Sequence, residues 1–565
     1  MKLLRQILVL LLVGMPELIT PLYPRSKTPQ LTVVIVIDQF AYSHIRKLSP
    51  HFKFGFKKLL EHGINYTDAH HPHGATCTGT GHAALGTGTF AKDHGIVLND
   101  WLDEKGKTRG FKDTSPEAAQ FNGLHPTKLC RYGISAKNLM VDGVSDQLIM
   151  SSTPEIRNRV YSLSFKPRAA IGLGGRLGKS IWFDHNTITF TSSKAFFKKL
   201  PQWLIDFNKQ NDISKVKKAY WKSAYPSSSS AYNFENIHDY EYCTPNAPRA
   251  NSTISTVSKR YDCACTRAPE SKAAFVKLPQ ANKLLLDLAI DCLHANFQPH
   301  RRDPGKFLLW VSLSTLDMIG HAYGPDCLET IDMIYHLDKQ IDTFIKQVQR
   351  MAGKRKVLFA LTADHGVSPI PEHINRKNLP IAHRILQKNL IQELNQITFE
   401  KFSIPNLIIR AKVNQLYLDK KILASLTPET KLAVLEMLKQ AIKKKPGIHE
   451  VWTADELSKA TFDPNQLESY YKNQYYPGRS GDLICMTKPY SFFAKRPHGT
   501  SHCSPYKDTT HVPLILYQTG TLQKKTIASR VWTQQLPVTI AKILEIQPPS
   551  ASPFQELPGI FPQAK

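Results

Sequence analysis

Short, unbroken apolar runs alternate along this chain with stretches whose apolar residues recur at helical spacing. The run 32–37 is β-branched and continuous and stops at Asp38, which predicts a strand buried on both faces with a carboxylate at its C-terminal end. Runs 64–67, 160–165, 307–313, 356–361 and 512–517 read the same way. Between them, Phe54, Phe56, Leu59 and Leu60 mark a helix, and stretches 141–150, 284–293, 328–351 and 531–544 mark others. This β-α-β succession predicts an α/β fold: a doubly wound, mostly parallel sheet flanked by helices, with ligands gathered at the C-terminal strand ends. The pattern loosens near 182–279 and again near 369–489. Both are read as cap segments inserted into one domain spanning 30–548. Within the second, helices are expected at 381–394 and 430–443 and a strand at 407–418. The Pro-rich stretch 549–565 is expected to be a flexible tail.

Composition narrows the function classes. Of 565 residues, 73 are Lys or Arg and 46 Asp or Glu, giving a formal net charge of +27, which suits acidic substrates or an anionic surface. The basic residues are scattered (Lys215, Lys217, Lys218, Lys222, then Lys443 to Lys445) without an aromatic-interleaved stripe, which argues against nucleic acid as a dedicated partner. Lys2 and Arg5, the apolar run 7–13 and Pro16 make residues 1–25 a signal peptide or an uncleaved N-terminal anchor, so the expected location is periplasmic or extracellular. That run is too short to span a bilayer, and any membrane contact would pass through it alone. Nine cysteines permit disulfides and leave at least one thiol unpaired or paired between chains. A local bridge is expected among Cys243, Cys263 and Cys265, whose Cys-x-Cys lacks the spacing of a zinc knuckle.

Candidate chemistry clusters where strands end. Asp38 follows the first strand. Asp317 and His321 follow the run 307–313 after a short Ser-Thr turn, Asp364-His365-Gly366 follows the run 356–361, and His498 and His502 precede the closing strand at 512. Singly, each has an ordinary structural explanation: a helix cap, an i,i+4 surface pair, a turn. Delivered to one crevice, three carboxylates and three imidazoles would repel or desolvate one another unless cations lay among them. Mixed Asp/His donors suit zinc, and six protein ligands divide into two sites of three. A nucleophile and oxyanion donors are then needed. The Thr/Gly stretch around Thr76, Cys77 and Thr78, running to Gly88, supplies hydroxyls ahead of a short run, 83–85, that opens a helix, and Gly79 to Gly81 read as backbone room for phosphate. Composition does not choose between Thr76 and Thr78. Asn99 can donate an amide N–H, and Lys166 and Arg168, two apart in what reads as extended chain with Pro167 ending regular structure, can face one phosphate.

At these residues the chain resembles the alkaline phosphatase superfamily, in its type I phosphodiesterase/nucleotide pyrophosphatase-like branch. Within that branch it is most similar to the phosphate-irrepressible periplasmic alkaline phosphatases that use a threonine nucleophile. The motifs are Val-Ile-Asp38-Gln-Phe, Thr78-Gly-Thr-Gly-His-Ala, His94-Gly-Ile-x-x-Asn99-x-Trp101, Lys166-x-Arg168, Asp317-x-x-Gly-His321, Ala-Asp364-His365-Gly and Gly-Thr-x-His502 ahead of Thr510-His511. The resemblance implies two Zn²⁺: one on Asp317, His321 and His502, the other on Asp38, Asp364 and His365 with Thr78, the covalent nucleophile. It selects Thr78 over Thr76 and His502 over His511, leaving His511 as a supporting residue, and it gives Asn99, Lys166 and Arg168 to phosphate oxygens. The implied activity is phosphomonoester hydrolysis through a phosphothreonine, with phosphodiesterase or nucleotide pyrophosphatase as the alternative and a non-catalytic basic binding protein behind both. Two departures stand out: Thr80 where relatives usually carry proline, and Pro167 where an aspartate commonly separates the lysine from the arginine.

Overall fold

The computed structural model describes residues 28–561 except 217, 235–239, 246, 256–273, 299–304 and 378–380. The N-terminal segment 1–25, Cys263 and Cys265 lie outside the described residues. A single ten-stranded sheet organises the chain. Its strands are β1 Leu31–Ile37, β2 Ile64–His70, β3 Arg159–Ser164, β4 Lys179–Asp184, β5 Thr189–Thr191, β6 Phe307–Leu313, β7 Val357–Thr362, β8 His511–Tyr517, β9 Lys525–Ile527 and β10 Val531–Trp532. They lie in the order β5-β4-β3-β6-β1-β7-β8-β2-β9, with β10 also on β2. The strands β4, β3, β6, β1 and β7 run parallel; β8 enters antiparallel between β7 and β2.

The unbroken apolar runs follow from burial on both faces. Val33, Ile35 and Ile37 of β1 pack toward Leu59 of helix α1 (Gly55–His62), Leu285 of α4 (Pro279–Asn296) and Ile341 and Phe344 of α6 (Leu328–Ala352). Val34 and Val36 face Leu85 of α2 (Thr78–Thr87), Leu173 of α3 (Pro167–Gly174) and Leu536 and Ile540 of α7 (Gln535–Ile543). The remaining helix used below is α5, Thr315–Tyr323.

Several expectations need correction. The first looser region does not begin at 182: β4 and β5 form an antiparallel edge of the main sheet, bonded through Phe183 and Phe190. The second carries a lobe with its own four-stranded antiparallel sheet, and the strand expected at 407–418 is a hairpin of Ile408–Lys412 and Gln415–Leu418, turning at Val413 with φ 56°. Helices Gln387–Phe402 and Pro428–Lys443 cover that sheet around Leu394, Leu416, Val434, Leu438 and Leu483. Residues 549–561 are packed, not loose: Leu557 is buried in the core beside α7, and the Tyr66 hydroxyl donates to the Pro558 carbonyl at 2.9 Å. No helix among the described residues is long and apolar enough to cross a membrane.

Candidate active site

Parallel register brings the strand ends to one level. Ile37 of β1 lies opposite Leu313 of β6, and Val36 opposite Thr362 of β7, so Asp38, the start of α5 and Asp364 emerge side by side. Ser164 of β3 pairs with Ser312, which puts Lys166 at the same edge. The Ser-Thr turn read after β6 is the first turn of α5, and one face of that helix carries both Asp317 and His321. His502 arrives from the loop ahead of β8. Gly499, in this loop at φ 72°, comes so close to His321 that a Cβ would stand 2.3 Å from the His321 carbonyl oxygen.

Two groups of three result: Asp317, His321 and His502, and Asp38, Asp364 and His365, with ligand atoms within 4.8 Å inside each group. The His321 Nε2 lies 3.3 Å and the His502 Nε2 3.7 Å from Asp317 Oδ1, while the His365 Nε2 lies 3.5 Å from Asp38 Oδ1 and 3.3 Å from Asp364 Oδ2. Each imidazole spends its other nitrogen on a backbone carbonyl: His321 Nδ1 on Thr500 (2.9 Å), His502 Nδ1 on Thr76 (2.5 Å), His365 Nδ1 on Gly366 (2.9 Å). That arrangement assigns the proton to Nδ1 and turns the Nε2 lone pair toward the carboxylates, the tautomer a metal ligand needs. Asp38 Oδ1, Asp364 Oδ2 and His365 Nε2 are buried without a hydrogen-bond partner. Orphaned acceptors of this kind, converging on one another, fit a divalent cation and little else.

Lys166 lies between the two groups, its ammonium 2.5 Å from Asp38 Oδ2 and also bonded to Asp317 Oδ2. Burial pushes the Asp38 carboxyl well above the usual range, and the neighbouring Asp317 and Asp364 add to it. For Asp317, burial is outweighed by the Lys166 ammonium and by His321, and its carboxyl falls well below that range. Burial, reinforced by His365 and His321, drives His502 down, so its ring is neutral. The His321 side chain is 39% exposed and marks the mouth of the crevice.

Thr78 is the first residue of α2, not a loop residue ahead of it, and the helix opens five residues earlier than the run 83–85 suggests. It is buried at the positive end of the helix dipole. Gly79 N donates to Asn99 Oδ1 at 2.7 Å, which leaves the Asn99 amide N–H₂ to point elsewhere. The room at Gly81, expected to admit phosphate, is taken by the protein itself, since a Cβ there would stand 2.4 Å from the Asp364 carbonyl oxygen. Thr76 is engaged otherwise, its hydroxyl accepting from Cys503 N at 3.1 Å.

Lys166 and Arg168 do not share one extended segment. Pro167 opens α3, its fixed φ suiting the first helical position, so Lys166 is the cap (φ −108°, ψ 120°) and Arg168 sits in the first turn. Both charges still act locally: burial works against the Lys166 ammonium, but Asp317 and Asp38 outweigh burial and the nearby Arg168 and hold its pKa above the usual range, and the buried Arg168 Nε has no hydrogen-bond partner among the described residues. His511 stands apart from both groups. It stacks on His70 and forms with it and Asp68 a third Asp/His group, while His498 is exposed.

Two further residues of the candidate site escape a reading of the sequence. Gln39, at φ 69°, ties the groups together, its backbone N–H donating to Asp364 Oδ1 (3.1 Å) and its side-chain amide to Asp317 Oδ1 (2.9 Å). His82, one turn beyond Thr78, lies with Nδ1 2.9 Å from the Thr78 carbonyl and 3.1 Å from Asp364 Oδ2, and with Nε2 2.8 Å from Ser312 Oγ. Both sit inside the quoted motifs, where the i,i+4 spacing from Thr78 is the available signal for His82.

Residues 32–511 match the family model for type I phosphodiesterase / nucleotide pyrophosphatase. Alkaline phosphatase PafA of Elizabethkingia meningoseptica is 28% identical over 94% of this chain and 95% of its own length. Alkaline phosphatase PhoV of Synechococcus elongatus is 27% identical over 93% and 91%. The crystal structure of wild-type PafA superposes with a TM-score of 0.79 at 25% identity, covering 94% of this chain and 98% of that one. The chain therefore belongs to the type I phosphodiesterase / nucleotide pyrophosphatase family and is a hydrolytic enzyme with an alkaline phosphatase-like fold.

Proposed function

We propose that this protein is an exported, two-zinc phosphomonoesterase that releases inorganic phosphate through a phosphothreonine at Thr78. The observation that carries the reading is the donor set: three imidazoles held as Nδ1–H tautomers, facing three carboxylates, of which Asp38 and Asp364 each keep an orphaned buried oxygen. Asp317, His321 and His502 would hold one ion, and Asp38, Asp364 and His365 the other, with Thr78 beside it. Bound there, the ions would supply Lewis acidity toward phosphoryl oxygen and lower the pKa of a nearby hydroxyl or water.

The chain's own residues do the rest. Thr78 Oγ1 attacks phosphorus and the ester oxygen leaves; water then cleaves the phosphothreonine and frees the hydroxyl. The helix dipole favours the anion at this position. Asn99, its Oδ1 occupied by Gly79 N–H, offers Nδ2 to a non-bridging oxygen. Lys166 offers a point charge and Arg168 a fork of donors. Two cationic side chains match a dianionic monoester better than a singly charged diester, and the relatives named alkaline phosphatases agree with that preference. The family description keeps phosphodiesterase or nucleotide pyrophosphatase activity as the second reading. Metal analysis of the purified protein, with turnover of a monoester and a diester compared on the same sample, tests both. About two zinc per chain and faster monoester turnover are expected; a metal-free active enzyme, or a diester preference, would defeat the first reading.

A further inference from the structure

The segment that carries Thr78 and the loop that carries His502 are joined at several points. His502 Nδ1 donates to the Thr76 carbonyl, Cys503 N donates to the Thr76 hydroxyl at 3.1 Å, and the Cys77 and Cys503 thiols lie 2.9 Å apart. Cys77 immediately precedes Thr78, and Cys503 immediately follows His502. Cys503 holds φ 82°, a left-handed conformation that side-chain-bearing residues rarely adopt. Such strain persists where surrounding structure demands it. Cys77 is fully buried, whereas Cys503 is 9% exposed. Disulfide chemistry already exists in this chain, because Cys130 is disulfide-bonded.

We propose that Cys77 and Cys503 form a reversible disulfide that fastens the Thr78 turn to the His502 loop and so holds the two metal-ligand groups in register with the nucleophile. The oxidant is a small-molecule or protein disulfide. The sulfur of Cys503, the less completely buried residue of the two, attacks one sulfur of that disulfide, and its proton leaves with the first thiol expelled. Cys77 then displaces the second, so two thiols are produced and the two electrons lost by the cysteines reduce the reagent's S–S bond. Closure draws the sulfurs together by only about 0.9 Å, so the polar contacts around Thr76 need not break. The cross-link itself is independent of the phosphatase reading; its effect on metal retention rests on that reading.

The full-length protein is incubated with oxidised or reduced glutathione, unfolded, alkylated with iodoacetamide and mapped without reduction. The expected result is a joined pair of peptides containing Cys77 and Cys503 in the oxidised sample only, with the buried Cys292 and Cys485 alkylated in both. Alkyl label on both Cys77 and Cys503 after oxidation would overturn the cross-link. In parallel, zinc loss to a chromogenic chelator is timed. Reduced wild type, Cys503→Ser and Cys77→Ala are each expected to release zinc about 10-fold faster than oxidised wild type, the scale seen when residues supporting metal ligands are removed. Equal release from oxidised and reduced wild type would overturn the fastening role. A protein that never binds zinc would defeat the two-zinc reading, and the peptide map would still decide the cross-link.

Discussion

Asp68, His70 and His511 use the same donor types as Asp38, Asp364 and His365, and both groups lie at strand ends of one sheet. They differ in how those donors are spent. Asp68 is ion-paired with Arg530 at 2.5 Å, His70 reaches Asp68 with Nε2 (2.9 Å) and Thr510 with Nδ1 (3.2 Å), and His511 reaches the Thr67 carbonyl with Nε2 (2.9 Å). The protein satisfies that group internally. In the other, Asp38 Oδ1, Asp364 Oδ2 and His365 Nε2 are buried and unsatisfied. Residue type and proximity nominate a metal site; unspent lone pairs are what separate it from a structural network.

The largest expected effect concerns the proposed nucleophile. Thr78→Ala should cut phosphatase turnover by at least about 10³-fold while zinc stays bound, read by steady-state kinetics beside metal analysis. Loss of metal with the activity would make Thr78 a scaffold residue. The contrast between groups is tested more directly by removing donors. His365→Ala should lose about one zinc equivalent and drop activity on the order of 10²-fold, whereas His511→Ala should keep its zinc. Equal metal loss in both variants would erase the distinction. A smaller effect, roughly 10-fold to 10²-fold, is expected from Lys166→Ala and Arg168→Ala on monoester turnover, with diester turnover changed much less. Equal losses would remove the argument from charge.

The smallest effect is thermodynamic and belongs to the satisfied group. Burial lowers the pKa of His70 to about 3, despite its bond to Asp68. Between the ordinary histidine value and that one, the unfolded chain binds a proton that the folded chain refuses, so stability is full above about pH 6.5 and falls as pH drops toward 3. His70→Phe should flatten this acid slope in denaturant titrations run at several pH values. An unchanged slope would show that His70 is not refused its proton.

Much of the site is legible in the sequence because apolar runs such as 32–37 and 307–313 end at the residues that matter, and parallel register does the rest. Pattern alone therefore places Asp38, Asp317 and Asp364 at one edge. Local readings fail where one residue serves two backbone roles. Pro167 can terminate a strand or open a helix, and only the packing of α3 against α2 decides for the helix. Phe183 and Phe190 read as irregular cap because an edge hairpin is short. Gln39 and His82 escape notice because their importance lies in hydrogen bonds to residues hundreds of positions away, such as Asp317 and Ser312, which no local window contains.

Strand β2 also bears on how the chain is made. Among the described residues its neighbours, β8, β9 and β10, lie near the C-terminus, and the contact from His70 to Thr510 spans 440 residues. At ribosomal speeds of about 5–20 residues per second, β2 therefore waits roughly 20–90 s for a partner. A strand edge left bare for that long is an aggregation hazard, and the candidate crevice, which takes His502 from the same late stretch, can close only after nearly the whole chain has been synthesised.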